Sequence, residues 1–430
     1  MDAWVPGLVA LLVLLFAGVP IAVAMGLVGA AGLTLILGFQ GGMAIAGQTL
    51  FDTSLSYSLS VVPLFILMGN FVTRAGLSDE LYAACNAWLG ARPGGLAMAT
   101  AVACGGFSAV CGSSLATAAT MGKVALPQMR KYNYDDSLAS GVIAAGGTLG
   151  ILIPPSVILV IYGVTTQQDI GKLFIAGIVP GLIGILLYMA AVRVVCWLDP
   201  GKGPPGPKVS LREKLQATRG VLGILGLFVL VIGGIYVGIF TATEAAGIGA
   251  FGAFLIALFR RTITLRVLGE ILAETAATTT MMFAVLIGAI VFANYVNIAG
   301  LPDDLTSFAA NQDVPPFVVL LGVLFVYLML GMVLESLSMV LLTVPIFAPM
   351  MDALGYDLIW FGIVVVVMTE ISLITPPVGL NVFVLKTVLP DVPIGTMFKG
   401  VMPFILADVV RMILLLAFPI LALGLPNLMG

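Results

Sequence analysis

The chain has 430 residues, of which 60% are hydrophobic and only 9% are charged, and its formal net charge is −3. Soluble globular proteins carry roughly 25% charged residues, so this composition excludes that class. The small net charge, the absence of histidine, and four cysteines without CxxC or metal-ligand spacing give no indication of nucleic-acid binding or of a metal cluster.

Continuous apolar runs, with a mean hydropathy of +1.17, predict an all-α polytopic membrane protein. The runs reach the roughly 20 residues that a spanning helix needs and lack the short alternating segments of barrel strands. The predicted crossings, in chain order, are residues 4–18, 22–38, 58–74, 137–165, 172–198, 221–239, 243–259, 277–297, 358–388 and 401–424. Because the first run follows Met1 without a basic region or a clear cleavage site, we interpret it as a mature membrane helix.

Two copies of one unit, offset by about 222 residues, make up most of the chain. The matching positions are Pro127 and Pro349, Met129 and Met351, Tyr134 and Tyr356, Asp135 and Asp357, Pro154 and Pro376, Pro155 and Pro377, and Asp169 and Asp391. Residues 75–81 are likewise echoed by residues 299–305, at an offset of 224. This nearly constant offset predicts an internal structural repeat. We predict a first repeat at 1–200, a cytoplasmic linker rich in Pro and Gly at 201–220, and a second repeat at 221–430.

The distribution of basic residues predicts that the two repeats are inverted. In the first repeat, the basic residues of 74–136 are Arg74, Arg92, Lys123, Arg130 and Lys131. The equivalent stretch of the second repeat, 299–357, contains neither Lys nor Arg. Because positive residues concentrate on the cytoplasmic side, the two stretches should lie on opposite sides of the membrane. Five crossings per repeat then put both chain termini outside the cytoplasm, and Lys172 departs from this topology.

Each repeat also contains an interrupted apolar segment, at 95–128 and 316–350, whose two ends are predicted to lie on one side of the membrane. We interpret each segment as a re-entrant helical hairpin. The residues predicted at the two tips are Gly112, Ser113 and Ser114 in the first hairpin, and Glu335, Ser336 and Ser338 in the second. Irregular backbone at membrane depth is tolerated only where protein buries it or where it lines a wet cavity. Each tip is therefore a candidate site.

Glu335 is the sharpest single candidate, because a carboxylate at the membrane centre costs about 2.5–3.5 kcal/mol on insertion scales. One interpretation is a cation ligand or gate at the second tip. The other is a protonated side chain that is hydrogen-bonded to the helix backbone. The equivalent position in the first repeat is Ser113, so the two tips differ in chemistry.

Two double prolines interrupt the predicted crossings 137–165 and 358–388. The candidate residues at these breaks are Pro154, Pro155 and Ser156, and Thr375, Pro376, Pro377, Gly379 and Asn381. Successive prolines remove backbone donors and leave carbonyl groups free one turn earlier. Free carbonyls and nearby hydroxyls suit a dehydrated Na⁺, and half-helix N-termini suit an anionic substrate. A kink that only aids packing is the alternative, but the double proline recurs at equivalent depth opposite a hairpin tip.

Other polar residues carry weaker signals. Thr241 and Glu244 fit a helix cap, Asp408 could pair with Arg411 at i+3, and Glu370 lies just before the second break. The chain has no Walker-type phosphate-binding sequence. An intramembrane enzyme would need a paired acid, a metal cluster or a nucleophile with a base, and the sequence offers none of these.

Four stretches of the chain together resemble one transporter family. They are GFSAVCGSS at 106–114, GILIPPS at 150–156, GIFTATEAA at 238–246 and ITPPVGLN at 374–381. The chain resembles the large membrane subunit of tripartite ATP-independent periplasmic (TRAP) transporters, the DctM-like group of the ion-transporter superfamily. The resemblance extends through nearly the whole chain.

The resemblance implies an elevator-type, Na⁺-coupled importer in the bacterial cytoplasmic (inner) membrane, with both termini in the periplasm. It implies scaffold helices at 1–74 and 221–297, and transport-domain hairpins and broken helices at 95–166 and 315–390. Na⁺ is then expected near Ser113, Ser114, Glu335, Thr375 and Gly379, with no organic cofactor.

The implied partners are a soluble periplasmic binding protein, which delivers an organic acid, and a small four-helix membrane subunit. We expect the small subunit to be a separate chain, because the predicted helices begin almost at Met1. A stand-alone Na⁺-coupled carboxylate symporter of the same superfamily is the main alternative function, and an intramembrane enzyme is the weakest one.

Overall fold

A computed structural model describes residues 3–302, 304–305, 307 and 314–429. Asp303, in the echoed segment 299–305, lies outside these residues. The described residues form helices that are joined mostly by short turns, and no strand occurs among them.

The helices of the first half are α1 (Trp4–Phe16), α2 (Ile21–Ser54), α3 (Val61–Arg74), α4 (Leu77–Leu89), α5 (Gly95–Cys111), α6 (Ser114–Lys131), α7 (Asp136–Thr148), α8 (Val157–Thr166) and α9 (Ile170–Leu198). Those described in the second half are α10 (Leu211–Tyr236), α11 (Ala242–Phe259), α12 (Leu265–Ile298), α13 (Pro316–Gly331), α14 (Ser336–Ala353), α15 (Leu358–Ile374), α16 (Leu380–Val388), α17 (Ile394–Ala417) and the short α18 (Ile420–Leu423). Short 3₁₀ turns precede α3 and follow α7 and α9.

Eight helical segments within the described part of the chain are long and apolar enough to cross a membrane. They correspond to α2, α3 with its preceding turn, α9, α10, α11, α12, α14 and α17. This result confirms the predicted class, an all-α polytopic membrane protein. Three predicted crossings are absent from this set. The crossing predicted at 4–18 is the shorter helix α1, and the other two are each divided in two, into α7 and α8 and into α15 and α16. The re-entrant path of α14, most of which is buried inside the protein, stays a prediction.

Several helices extend beyond their predicted bounds. α2 continues to Ser54 after a bend at Gly38, whose φ of 75° lies in the left-handed region. α12 begins at Leu265 rather than at 277, and α10 begins at Leu211 within the predicted linker, where Ser210 and Glu213 form a capping box. α4 was not predicted from the sequence, because acidic residues in its first turn interrupt the apolar pattern that was used to predict the crossings.

Two sets of helix contacts recur in the fold, and they meet where α14 packs on α12 and α5 packs on α3. In one set α2 lies along α12, α3 along α11, and α10 packs on α11. In the other, α7 contacts α5, α6 and α17, while α13 packs on α15 and α17 on α9. The domain limits and the motion of one set against the other stay predictions.

Partners from opposite halves of the chain make the most extensive contacts. The pairs are α2 with α12, α3 with α11, and α7 with α17. Small residues allow the closest of these approaches, as in many membrane helix pairs. Gly141 of α7 faces Gly400 of α17, and a Cβ atom on Gly400 would overlap the carbonyl oxygen of Ser137.

We therefore expect Gly400→Ala to lower the melting temperature of the detergent-solubilised protein and its yield of monodisperse protein. Overpacking in a rigid contact costs about 1–3 kcal/mol, and more where backbone must move. Gly395→Ala, in the same helix, is the matched control because a Cβ there meets nothing within 4 Å. Equal melting temperatures for the two variants would contradict the observed packing of α7 on α17.

Candidate functional site

The predicted tips and breaks coincide with four places where one helix ends and another begins. The residues that cap the second helix of each pair are Ser113 for α6, Ser156 for α8, Glu335 for α14 and Gly379 for α16. The last carbonyl groups of a helix carry partial negative charge, and the first N–H groups carry partial positive charge. All four places therefore present both kinds of partial charge within a few residues.

The first tip lies against the first break. Gly112 ends α5 with a φ of 64°, and a Cβ built on it would lie 3.8 Å from the Pro155 carbonyl oxygen. The Ser113 hydroxyl accepts a hydrogen bond from the Ala116 amide at 3.4 Å. Ser114, only 3% exposed, is the first residue of α6. The structure thus brings together the candidate residues that the sequence places at the first tip and the first break.

The first break is enclosed by protein. Pro154 and Pro155, joined by a cis peptide bond, are both buried, and so is Ser156. The Ser156 hydroxyl donates to the Ile151 carbonyl oxygen at 2.5 Å and accepts from the Leu159 amide at 3.3 Å. One side chain therefore connects the backbone on both sides of the interruption.

The second tip has a charged cap. The Glu335 carboxylate accepts from the Ser338 amide at 3.4 Å and from the Ser338 hydroxyl at 3.3 Å. Ser336 and Ser338 are buried, whereas Glu335 is half-buried. The tip lies beside the end of α15, because a Cβ on Gly331 would overlap the Ser372 hydroxyl. Glu335 thus accepts hydrogen bonds from the first turn of α14, and the choice between a cation ligand and a protonated side chain stays a prediction.

The second break is exposed, whereas the first break is buried. Pro376 and Pro377, also joined by a cis bond, are exposed. The Thr375 hydroxyl donates to the Ile371 carbonyl oxygen at 2.6 Å, and Gly379 has a φ of 61°. Asn381 is fully buried and donates from Nδ2 to the Ala144 carbonyl oxygen of α7 at 3.1 Å. Its Oδ1 atom has no hydrogen-bond partner among the described residues.

Asn381 therefore joins the second break to the first broken helix. Among the described residues, however, no hydrogen bond joins Ser113 or Ser114 to the second tip. The two tips are instead each packed next to the broken helix of their own repeat. Convergence of all four places on one site stays a prediction.

A cluster of ionisable side chains lies buried next to the second break. Arg411 of α17 bonds Glu370 of α15 through Nη2, and the same atom lies 2.8 Å from Asp408 Oδ1. The Tyr188 hydroxyl of α9 donates to Asp408 Oδ2 at 2.6 Å. The three charged side chains are 0% exposed. Removing one partner from a buried ion pair costs about 3–5 kcal/mol, since it leaves the other charge unpaired.

The sequence predicted only part of this cluster. The pair of Asp408 with Arg411 is confirmed, and it was visible because the two lie three residues apart in one helix. The contact of Arg411 with Glu370 was missed, although two unexplained charges in apolar runs suggest a pair. Tyr188 gave no signal, since a tyrosine in an apolar helix needs no charged partner. Gly184 of α9 makes room for the guanidinium group, which a Cβ there would overlap.

A second polar cluster links helix ends outside the spanning segments. Arg130, near the end of α6, donates to Asp136 at the start of α7 at 2.8 Å and pairs with Asp391 at 2.6 Å. The hydrogen bond from Arg130 lowers the pKa of the Asp391 carboxyl group. This arrangement ties the first hairpin to the turn that leads from α16 to α17.

A cleft of about 520 Å³ is lined by residues of α8, α12 and α14. Its polar lining consists of Thr165, Thr166, Gln167, Asn294, Asn297 and Asp352. This volume is in the range of small-molecule sites. None of the predicted site residues lines the cleft, which follows the boundary between the two sets of helix contacts.

Comparisons with known proteins give one consistent result. The family model described as "Tripartite ATP-independent periplasmic transporter, DctM component" matches residues 8–421. The C4-dicarboxylate TRAP transporter large permease protein DctM of Pseudomonas aeruginosa is 39% identical over 407 residues, which cover 94% of each chain. The sialic acid TRAP transporter large permease protein SiaM of Vibrio cholerae is 34% identical over 417 residues, which cover 96% of each chain.

A solved structure with low sequence identity has a similar fold. The crystal structure of the YdaH transporter of Alcanivorax borkumensis aligns with a TM-score of 0.62 at 15% identity, over 90% of each chain. At this identity the likeness concerns the fold alone, and it agrees with the all-α membrane architecture described above.

Because Ser156 connects both sides of the first break, we expect Ser156→Ala to lower the melting temperature of the solubilised protein. Loss of a serine cap costs about 0.5–2 kcal/mol, and the Ile151 carbonyl group would also lose its buried donor. Ser58→Ala replaces an exposed serine and should leave the melting temperature unchanged. A Ser156→Ala protein as stable as the wild type would show that the hydroxyl does not hold the break.

Proposed function

The chain belongs to the DctM family of tripartite ATP-independent periplasmic transporters, and from this premise we propose that it imports an organic acid with Na⁺ as the coupling ion. As a large permease subunit of this family it is an integral inner-membrane transport protein and not an enzyme. We propose further that it works by an elevator mechanism, together with a small membrane subunit and a periplasmic binding protein.

The unpaired Asn381 Oδ1 atom is the observation that carries the proposal of a Na⁺ site. A buried amide oxygen without a donor costs free energy unless it finds another partner, and hard cations prefer oxygen ligands. The Thr375 hydroxyl oxygen, which donates its proton to Ile371, keeps lone pairs for a cation. Together with the carbonyl groups that end α15, these oxygens would hold Na⁺ at the second break. Bound there, the ion would supply the free energy of its gradient.

The first tip and first break offer a similar but neutral set of groups. Ser113, Ser114 and the carbonyl groups before Pro154 provide oxygens, and the first turn of α6 provides N–H groups. Helix N-termini favour carboxylate groups. At the second tip, Glu335 already places a negative charge at the start of α14, so an anionic substrate is better accommodated at the α6 side.

The two sets of helix contacts support the elevator proposal. The hairpins and broken helices contact α7 and α15, whereas α2 pairs with α12 and α3 with α11; α14 also packs on α12, and α5 on α3. If the hairpins, the broken helices and α7 moved as one rigid body, they would carry the candidate ion and substrate residues together. On the predicted topology, with both termini periplasmic, the cleft beside α12 opens to the periplasm.

The relatives support an organic acid as the substrate class. The two reported large permeases are named for C4-dicarboxylates and for sialic acid, which share a carboxylate group but differ in size. The carboxylate is therefore the feature that we expect this chain to recognise. A stand-alone symporter would use the same ion and substrate residues and would differ in needing no binding protein.

Uptake by proteoliposomes distinguishes these functions. With the large subunit, its small subunit and the binding protein encoded beside them, we expect uptake of a radiolabelled organic acid only when Na⁺ and the binding protein are both present. C4-dicarboxylates are the first acids to test. Transport without the binding protein would support the symporter, and transport that persists when K⁺ replaces Na⁺ would refute coupling to Na⁺.

Substitutions at the tips test the candidate site. Glu335→Gln and Ser114→Ala should each reduce uptake by about tenfold or more while membrane insertion is retained, since charge-assisted hydrogen bonds contribute about 1.5–3 kcal/mol. Glu244→Gln is the matched control, because Glu244 forms a capping box with Thr241 that glutamine also supports. Full uptake by both tip variants would remove the hairpin tips from the mechanism.

A further inference from the structure

The buried ion cluster lies next to the second break, and none of its residues has a role in the proposed transport function. Glu370 precedes Thr375 by five residues, which at a rise of about 1.5 Å per residue is roughly 7.5 Å along the helix axis. Its contact with Arg411 ties α15 to α17, and the bond from Tyr188 to Asp408 extends the link to α9. Three helices are therefore fixed to one another just below the break.

The first repeat has no equivalent of this cluster. Thr148 occupies the position equivalent to Glu370, at the offset of 222, and its hydroxyl donates to the Ala145 carbonyl oxygen within its own helix at 2.7 Å. The difference matches the environments of the two breaks. Pro154 is enclosed by protein, which holds the backbone in place, whereas Pro376 is exposed and lacks such support. The contact between Glu370 and Arg411 instead fixes α15, the helix that ends at the exposed break, to α17.

We propose that Glu370 is a positioning residue for cation binding at the second break, and that it acts through Arg411. The contact with Arg411 holds α15 just before its last turn, whose carbonyl groups and Thr375 precede the prolines. The bond from Asn381 to Ala144 holds the other side of the break. This inference rests on the proposed coupling to Na⁺, and it concerns how the protein prepares that site rather than which residues touch the ion.

Geometry favours positioning over direct contact. Glu370 Oε2 is taken by Arg411, and the side chain is 0% exposed. Its Oε1 atom has no hydrogen-bond partner among the described residues, but Glu370 lies more than one helical turn before Thr375. The titratable or charged groups that interact with it are Asp408 and Arg411 on α17 and Tyr188 on α9. The cluster has two carboxylates for one guanidinium group, so replacing Glu370 with a neutral residue leaves a balanced pair of Asp408 and Arg411.

Na⁺-dependent thermal stability of the purified full-length chain tests the proposal without measuring transport. NaCl replaces KCl at constant ionic strength, and the wild type should melt at a higher temperature as Na⁺ rises, because a ligand of the folded state stabilises it. Glu370→Gln should need about tenfold more Na⁺ for the same stabilisation, since a weaker neutral hydrogen bond then holds α15 just before its last turn.

Asp408→Asn is the matched control within the cluster. It is equally buried and also removes one carboxylate, but it leaves Glu370 bonded to Arg411. We expect a lower melting temperature and an unchanged dependence on Na⁺. If Glu370→Gln yields too little folded protein, Arg411→Lys weakens the same link while it keeps the charge, and it should produce the same shift in Na⁺ dependence.

The outcomes separate this proposal from the proposed function. A wild type without Na⁺-specific stabilisation refutes the Na⁺ site itself and, with it, the role of Glu370. A stabilised wild type with an unchanged Na⁺ dependence in Glu370→Gln leaves the Na⁺ site intact and makes Glu370 a purely structural residue. Equal shifts in Glu370→Gln and Asp408→Asn assign the effect to the charge of the cluster, which also overturns positioning through α15.

Discussion

Backbone groups inside a bilayer have no water to bond, and this constraint governs every unusual feature of the molecule. Continuous helices meet it by themselves. The four interruptions do not, and each has its own solution: a serine that bonds both sides of the first break, capping side chains at Ser113 and Glu335, and an asparagine anchored to α7 at the second break. The backbone groups that remain free after these bonds are the ones available for an ion or a substrate.

The two halves satisfy this constraint differently. In the first half, neutral side chains and close packing enclose the interruption around Ser156. In the second half, the prolines are exposed, the hairpin tip has a carboxylate cap, and a buried ion cluster fixes the adjacent helix. The two halves of the chain therefore contain chemically different interruptions. Such a difference is what a transporter needs if one side of its site holds a cation and the other an anion.

The sequence predicted the fold class and the positions of the interruptions, because both follow from the order of residues along the chain. The apolar runs, the double prolines and the constant offset are visible without knowledge of how the helices pack. The sequence also predicted the pair of Asp408 with Arg411, which a single helix determines. The contact between Arg411 and Glu370 depends on how α15 packs against α17, and no spacing along the chain encodes it. α4 was not predicted for a similar reason. Its first turn is acidic, and its helical structure is accounted for only by its packing against α5 and α10.

The pairing of helices across the two halves has a consequence for the assembly of the chain. Because α2 lies along α12, α3 along α11 and α7 along α17, either half alone would leave these faces uncovered. A half produced by itself would therefore have to associate with its counterpart to cover them. The connecting segment between α9 and α10 turns that bimolecular association into the folding of one chain.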